Sequence, residues 1–318
     1  MQVLRSIPEQ ATTPCVLTIG NFDGLHRGHR ALLERLTEKA RTLSLPATVM
    51  TFEPHPRELF TPEQAPVRLT NLREKIRLLA DCGIDRLFIC HFNTRLAALD
   101  AETFIQRILV QGLGVRHLYI GDDFQFGRGR CGNFALLRTA GERLGFDVEA
   151  MHTIDWQGER VSSSRIRELL AAGDLEHAER LLGRPYSLSG RVVHGKKIGR
   201  QIGFPTANIP LKRARLPLAG IFAVELSGVT SNPQHHWPGA ASLGTRPTLA
   251  AGLMPVLEVH LLDFDSDLHG DLYGQHVTVT FRHKLRDEAR FDSLEELTQH
   301  IARDVAAIRH YFQSTHHG

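Results

Sequence analysis

The chain has 318 residues, 42% hydrophobic and 23% charged, with a formal net charge of +3. That length predicts two domains, each able to bury its own core, and the charge is too small for a polycation that holds nucleic acid by bulk attraction. No apolar run reaches the roughly 18 residues of a membrane span, Met1–Gln10 lack the apolar centre of a secretory signal, and Cys15, Cys82, Cys90 and Cys131 form no Cys-x-x-Cys pair, so zinc is not expected and reduced thiols in a cytoplasm are.

From residue 1 to about 183, apolar strand-like runs alternate with helical patterns. The expected strands are Val16–Ile19, Ala47–Phe52, Arg86–Phe92, His117–Gly121 and Asp147–His152. The expected helices are His29–Thr42, Leu72–Cys82, Ala101–Leu109, Asn133–Leu144, Ser163–Ala172 and Leu175–Leu182. This βαβα order predicts an α/β domain with a doubly wound, Rossmann-like parallel sheet. Ligands of such sheets sit beyond the carboxyl ends of the strands. The Gly20–His29 turn, the Glu53–Pro56 turn, Phe92-Asn93 and the Gly121–Gly127 loop all fall at that edge.

Gly183-Arg184-Pro185-Tyr186 reads as a linker, dividing the chain into domains 1–183 and 184–318. Beyond it, Tyr186–His194, Ile221–Leu226, Val256–Phe264 and Val277–Phe281 are strand-like, punctuated by Gly and Pro, and predict an antiparallel β-barrel or sandwich. A terminal helix follows. Ser293-Leu294-Glu295-Glu296 is a capping box, and Leu294, Leu297, Ile301, Val305, Ile308 and Phe312 form a stripe that packs on the barrel. Asp267–Gly270 and Asp271–Gly274 look like a tandem duplication of one loop tetrapeptide.

The densest chemistry lies in Gly20-Asn21-Phe22-Asp23-Gly24-Leu25-His26-Arg27-Gly28-His29. A Gly-rich strand-to-helix turn offers free backbone N–H groups and the positive end of a helix dipole, which suit phosphates. His26 and His29 are three apart, so a helix starting near His26 puts both imidazoles on one face, where they donate to phosphoryl oxygens. Gly28 between them lets a nucleotide approach the backbone. With no paired nucleophile nearby, in-line attack by a substrate oxygen is the expected chemistry; the plain alternative is a helix start with two surface histidines.

Ser162-Ser163-Ser164-Arg165-Ile166-Arg167 is either a simple Ser-capped helix start or a set of hydroxyls and Arg167 converging on one anion, with Ser163 and Arg167 on one face. Gly121–Gly127 is either a turn with two core aromatics or a place where a ring stacks near Phe124 or Phe126. Gly203-Phe204-Pro205-Thr206-Ala207-Asn208 is either an ordinary loop or a source of two oxygen ligands, Thr206 and Asn208, for a magnesium ion carrying nucleotide phosphates. His194–Arg200 is either a flap over phosphates or a solvated basic turn. In Val256–Leu262, alternation puts Glu258 and His260 on one face; Glu258 is either an exposed strand carboxylate or a base for a substrate hydroxyl.

Together with Gly244–Thr248, Asp271–Gly274, Lys284–Glu288 and Phe291–Ser293, these motifs resemble the bacterial bifunctional riboflavin kinase/FMN adenylyltransferase (FAD synthetase) family over nearly the whole chain. The resemblance implies a nucleotidyltransferase domain followed by a riboflavin kinase barrel closed by the terminal helix. The barrel would phosphorylate riboflavin to FMN with ATP, and the N-terminal domain would transfer AMP to FMN, giving FAD and pyrophosphate. It implies that Gly20, Asn21, Phe22, Asp23, Gly24, His26, Gly28 and His29 hold one ATP, with Ser163, Ser164 and Arg167 on its triphosphate. Asp123 and Phe124 would meet the flavin of FMN. In the kinase, Gly195, Lys196, Gly203, Pro205, Thr206 and Asn208 would bind ATP, with Thr206 and Asn208 on Mg2+. Glu258 would be the base, and Arg286 and Glu288 would order a flavin-side loop. The partners implied are small molecules, with no nucleic acid and no membrane, in a cytoplasmic monomer or weak homo-oligomer.

Four departures stand out: Leu25 where Val is common, Ser164 where Thr is usual, Gln125 at a position often basic, and the doubled tetrapeptide. Two competing classes are an adenylyltransferase for another cofactor precursor, and a barrel gripping RNA through Lys196, Lys197, Arg200, Lys212, Arg213 and Arg215. The first has no need of Pro205–Asn208 with Glu258. The second wants aromatics among its basic residues, where this chain has Gly and Pro.

Overall fold

The computed structural model describes residues 1–151, 155–195, 198–211, 213, 215–244, 255–264 and 271–315. Lys196, Lys197, Lys212, residues 245–248 and the first tetrapeptide, 267–270, lie outside these described residues. The chain divides into two compact units, Met1–Pro66 with Thr70–Ser163, and Val67–Leu69 with Ser164–Gly318.

The first unit is built on a parallel sheet of β1 (Gln2–Leu4), β2 (Cys15–Ile19), β3 (Ala47–Glu53), β4 (Arg86–His91), β5 (Val115–Gly121) and β6 (Asp147–Met151). Their order is β1-β4-β3-β2-β5-β6. Every residue of β2 is buried, as a central strand covered on both faces must be. Five strands match expectation to within two residues. Three-residue β1, too short to show a period, pairs in parallel with the edge of β4. The chain runs outward from β2 to β3 and β4, then returns to β5 on the other side, so the switch point lies between β2 and β5. The Gly20–His29 turn leaves β2 and the Gly121–Gly127 loop leaves β5, so both stand at the place where such sheets take ligands.

Apolar clusters cover the two faces. Leu17, Ile19, Phe88, Leu118 and Leu137 belong to one, and Val16, Leu33, Leu36, Val49 and Leu79 to the other. The helix expected at Ala101–Leu109 is α only over Ala101–Thr103 and continues as a π-helix, Phe104–Gly112. Its last glycine rests on Ile7 and Pro8, where a Cβ would come within 2.5 Å of the Ile7 side chain. A small hairpin, β7 (Asp155–Trp156) with β8 (Glu159–Arg160), precedes Ser163. It turns through Gln157 and Gly158, both at positive φ (53° and 83°), and two-residue strands leave no periodicity to read.

The second unit is an antiparallel barrel of β9 (Ser187–Arg191), β10 (Ala207–Pro210), β11 (Gly220–Ser227), β12 (Trp237–Gly244), β13 (Val256–Leu261) and β14 (His276–Arg286), ordered β10-β13-β12-β11-β14-β9. A Val193–Asn208 bridge joins the two edges, with Val193 N–H donating to Asn208 O at 2.9 Å. β12 was not foreseen because Trp-Pro-Gly-Ala-Ala-Ser-Leu-Gly reads as a loop. Its burial nevertheless alternates strictly, and its small residues accept the terminal helix, which packs on β11 and β12.

That helix, Leu294–Thr315, buries Val305, Ile308 and Phe312 as expected. Leu294 is a correction: it is 63% exposed, on the first turn before the stripe meets the barrel. Ser293 Oγ accepts from Glu296 N at 3.1 Å, but Glu296 reaches back to Asp292 N rather than to its own cap. The contact division falls at Ser163, ahead of the expected linker, because the helix Leu175–Leu182 packs on β14. Val67–Leu69 belong to this unit through their carbonyls: Arg167 Nε donates to Val67 O at 2.6 Å, Tyr186 Oη to Leu69 O at 3.1 Å, and Arg213 Nη1 to Arg68 O at 3.2 Å.

Candidate active sites

The first candidate site is the turn between β2 and the helix Arg27–Leu43. Its backbone is unusual: Phe22 and Leu25 have φ of 47° and 41° beside Gly24 at 81°. Left-handed non-glycine residues cost energy and persist where their surroundings over-determine them. Here those surroundings are explicit. The Phe22 and Leu25 side chains are fully buried. Asp23 Oδ1 accepts from Thr70 N (2.9 Å) and Thr70 Oγ1 (3.1 Å), while Gly24 N donates to Thr70 Oγ1 (3.1 Å). Ser163 Oγ donates to Asp23 O at 2.9 Å. Asp23 is thus a brace for the turn, 9% exposed, rather than a carboxylate facing a ligand.

His26 is the N-cap of the helix: its Nδ1 accepts from His29 N at 3.3 Å. A ring nitrogen that accepts carries no proton, so neutral His26 keeps its proton on Nε2. The His26 and His29 rings stack with centroids 3.7 Å apart and planes at 16°. His29 Nδ1 is buried with no hydrogen-bond partner among the described residues. A buried unpaired N–H is the costlier orphan, so His29 also carries its proton on Nε2. Burial holds the His29 pKa well below 6.5, reinforced by the repulsion a protonated His26 would exert and by the Lys75 charge. The pair is therefore two parallel neutral donors, not two repelling cations. Lys75, buried on the helix Leu72–Asp81, and Thr70 are the parts that sequence reading missed; neither carries a local motif. Asn21 Oδ1 is a further buried acceptor with no partner among the described residues.

Gly28 needs a correction. A Cβ there would meet His26 Cε1 and Nδ1 at 3.2 Å, so the space above this glycine belongs to the imidazole and not to a nucleotide. Gly28→Ala should therefore separate stability from activity. Alanine in place of glycine inside a helix favours folding by up to about 1 kcal/mol, but pushing His26 Nδ1 off its cap bond to His29 N costs a similar amount, so the net change in stability should be small. The displaced His26 ring should lower any reaction at this turn about tenfold, since small misplacements are expensive in catalysis. A melting curve beside an activity assay checks both halves. A Cβ on Gly20 would likewise crowd Phe22, 3.1 Å from its Cε2.

Elsewhere at this edge, Phe124 stacks on buried Phe126 with centroids 5.7 Å apart, and the Asp123 carboxylate folds over Gly121, 3.1 Å from where a Cβ would stand. Phe52, Phe92 and Phe60 form an edge-to-face series, with Phe60 63% exposed. Such exposed faces suit a planar ring. Ser164 and Arg167 lie in the second unit, and Arg167 Nε is committed to the Val67 carbonyl.

The second candidate site is on the barrel. β10 pairs with β13 so that Asn208 lies directly opposite Glu258, and β12 places Ser242 opposite Glu258 on the other side. Directly opposed residues share a face with Cβ atoms about 5 Å apart. Glu258 is half-buried, as its alternate position predicts. Asn208 Nδ2 donates to Thr206 O (3.2 Å) and Thr206 Oγ1 (3.4 Å), so the two expected ligand residues are neighbours and the amide oxygen is turned away from Thr206. Gly195 has no room for a Cβ because the Asn208 amide stands 2.6 Å from that point. A cavity of about 40 Å³ is lined by Gly195, Arg200, Pro205, Thr206, Asn208 and Tyr273, and His194 packs on Tyr273 at 3.7 Å. Gly203, at φ 85°, turns the chain into Phe204. Turning the Asn208 amide over would bring its oxygen beside the Thr206 hydroxyl, and two hard oxygens beside a guanidinium fit a phosphate-borne divalent cation; their neutrality leaves most of its charge for the phosphates.

Arg286 is fixed to the terminal helix: Nε and Nη2 donate to the Asp304 carboxylate at 2.9 and 2.6 Å, and Nη1 donates to Asp287 O at 2.9 Å. It orders the Asp287–Glu288 turn from the helix side. The Glu288 carboxylate sits over Gly244, with no space for a Cβ between them, and partial desolvation raises its pKa.

Comparison with known proteins gives two family matches, FAD synthetase over residues 8–165 and riboflavin kinase over 182–312. The bifunctional riboflavin kinase/FMN adenylyltransferase of Escherichia coli K12 is 51% identical over 318 residues, covering 99% of each chain. That of Pseudomonas fluorescens is 52% identical over 315 residues, covering 97% of each. A solved structure described as a macrolide-efflux protein from Streptococcus pneumoniae is 27% identical with a TM-score of 0.80, over 97% of this chain and 99% of that one. Among the described residues no helix is long and apolar enough to cross a membrane.

Proposed function

This chain belongs to the family of bifunctional riboflavin kinase/FMN adenylyltransferases, and from that premise we propose which of its residues carry each reaction. It phosphorylates riboflavin to FMN with ATP, then joins AMP from ATP to FMN to give FAD and pyrophosphate.

The kinase reading rests on one observation, the facing of Asn208 and Glu258 across β10 and β13. A base must stand within reach of the hydroxyl whose oxygen attacks, and the attacked phosphorus must be held beside it. Glu258 removes the proton from the ribityl 5′-hydroxyl. Thr206, Asn208 and Arg200, with Gly195, Gly203 and Pro205, hold the ATP phosphates, and Lys196 is assigned to the same ATP from its place in the sequence. Bound Mg2+ would neutralise charge on those phosphates, held by the Thr206 and Asn208 oxygens. Arg286 and Glu288 order the flavin side.

For adenylyl transfer, the stacked Nε2 donors of His26 and His29 stabilise charge that builds on the ATP phosphates. The Asn21–Gly24 turn, braced by Thr70 and Ser163, lines the nucleotide pocket. Ser164 and Arg167, one helical turn apart, are assigned to phosphate binding on the family resemblance alone. Asp123 and Phe124 meet the flavin of FMN. We assign domain functions to 1–183 and 184–318, with small molecules as the partners, no nucleic acid, and a cytoplasmic monomer or weak homo-oligomer.

The metal assignment is tested by Thr206→Val and Thr206→Ser. Loss of the hydroxyl should raise the half-saturating Mg2+ for riboflavin phosphorylation about tenfold, in the range seen when a ligand shell is damaged. Serine should restore it. FAD formation from supplied FMN should ignore both changes; a Mg2+ curve unmoved by valine would remove Thr206 from the metal site.

A further inference from the structure

Resting on the reading of Thr206, Asn208 and Glu258 as the kinase centre, we propose that His260 is a positioning residue for the phosphate-binding loop, acting through the carbonyl of Pro205. His260 is two residues beyond Glu258 on β13 and so on the same face. Its Nδ1 lies 2.9 Å from Pro205 O. A carbonyl only accepts, so Nδ1 carries the proton and the tautomer is fixed by the bond. The ring also meets Phe204 edge-on, with centroids 5.4 Å apart at 82°.

Pro205 is exposed, so water can replace the imidazole at its carbonyl but cannot hold the loop to β13. Pro205 has no N–H, so its carbonyl is the sole polar handle of its backbone. On the upstream side, Phe204 N donates to Gly199 O at 2.7 Å, and the Phe204 ring packs beside the cluster of Ala223, Leu262, Val305, Ile308 and Phe312. On the downstream side, Ala207 enters β10, in register with Val259 of β13. Thr206 sits between these anchors. The strand that carries the base thus also clamps the residue preceding the first ligand oxygen, so base and phosphate site are set from one rigid element.

The test compares His260→Asn with His260→Leu. The asparagine amide nitrogen stands about where Nδ1 stood and keeps the donor, whereas leucine fills the space without one. For the leucine variant, KM for Mg-ATP in riboflavin phosphorylation should rise about fivefold to tenfold, the worth of one lost hydrogen bond, with kcat changed less than about twofold. The asparagine variant should stay within about twofold of the parent, and both should keep the parent's KM for riboflavin and its FAD formation from supplied FMN. Equal behaviour of the two variants, or an unchanged KM for Mg-ATP with leucine, overturns the proposal. If the leucine variant fails to fold, His260→Asp replaces it: same shape as asparagine, acceptor only. An aspartate variant matching asparagine then overturns the proposal, and a raised KM supports it. Glu258→Gln is measured alongside. Phosphorylation whose kcat falls less than about tenfold sinks the kinase-centre reading itself, whereas a loss of about 10²-fold beside a normal leucine variant sinks only the role of His260.

Discussion

Glu258→Gln slows riboflavin phosphorylation by at least about 10²-fold while FAD still forms from supplied FMN at the parent's rate. Glutamine keeps the shape and hydrogen-bonding reach of the side chain but cannot accept a proton, so the variant isolates base chemistry from packing. General-base contributions run from about 10² to 10⁴ in rate. Phosphoryl transfer leans heavily on positioning and charge stabilisation, which Thr206, Asn208 and Arg200 retain, so the loss should lie nearer 10²-fold than 10⁴-fold. The loss should appear in kcat with KM for Mg-ATP little changed, because the proton moves only on the way to the transition state. The half-buried strand position makes large-scale unfolding an unnatural explanation, and Ser242 and Asn208 on either side can hydrogen-bond either residue. A chromatogram separating riboflavin, FMN and FAD reads both reactions in one sample. Equal damage to both would break the assignment of one reaction to each domain.

How far the sequence reaches depends on whether a signal is local. The β2–turn–helix unit is local: a buried apolar run, a glycine turn and a helical stripe suffice to place it. Its cap is not legible, because histidine stands outside the usual Ser, Thr, Asp and Asn caps. The helix therefore reads as starting at His29, whereas it starts at Arg27 with the His26 ring in the capping role. The Thr70 brace of Asp23 lies 47 residues away, and no pattern joins them. On the barrel, alternation placed Glu258 correctly, but only the register of β10 against β13 shows that Asn208 faces it. β12 is invisible for a physical reason: its outer face must be small where the terminal helix lies, and small residues with Pro and Gly read as loop. Arg286 shows the same limit: its bidentate partner Asp304 lies on the packed face, three residues after Ile301 and four before Ile308, but a lone carboxylate there does not announce a partner on a distant strand.

His29→Ala reverses the dissection. Removing one preorganised donor from a charge-stabilising site costs about 10²- to 10³-fold in kcat. The substitution leaves the helix start intact, because His26 Nδ1 accepts from the His29 backbone N–H, which alanine keeps. His26→Ala is different: it removes both the donor and the cap, so it should lose activity and about 1 kcal/mol of stability together. The pair of variants therefore distinguishes catalysis from folding within one turn. pH gives an independent readout. The folded state holds His29 well below its usual 6.5, so it binds fewer protons than the unfolded chain near that pH. Stability from this residue is fully present above about pH 6.5 and declines as the solution is acidified toward the lowered value. The adenylyl-transfer rate should accordingly run flat through the ordinary histidine range, because the donor form is already neutral there. An inflection at an ordinary histidine pKa that disappears in His29→Ala would mean that a charged imidazole does the work, and the two-neutral-donor arrangement would have to be given up.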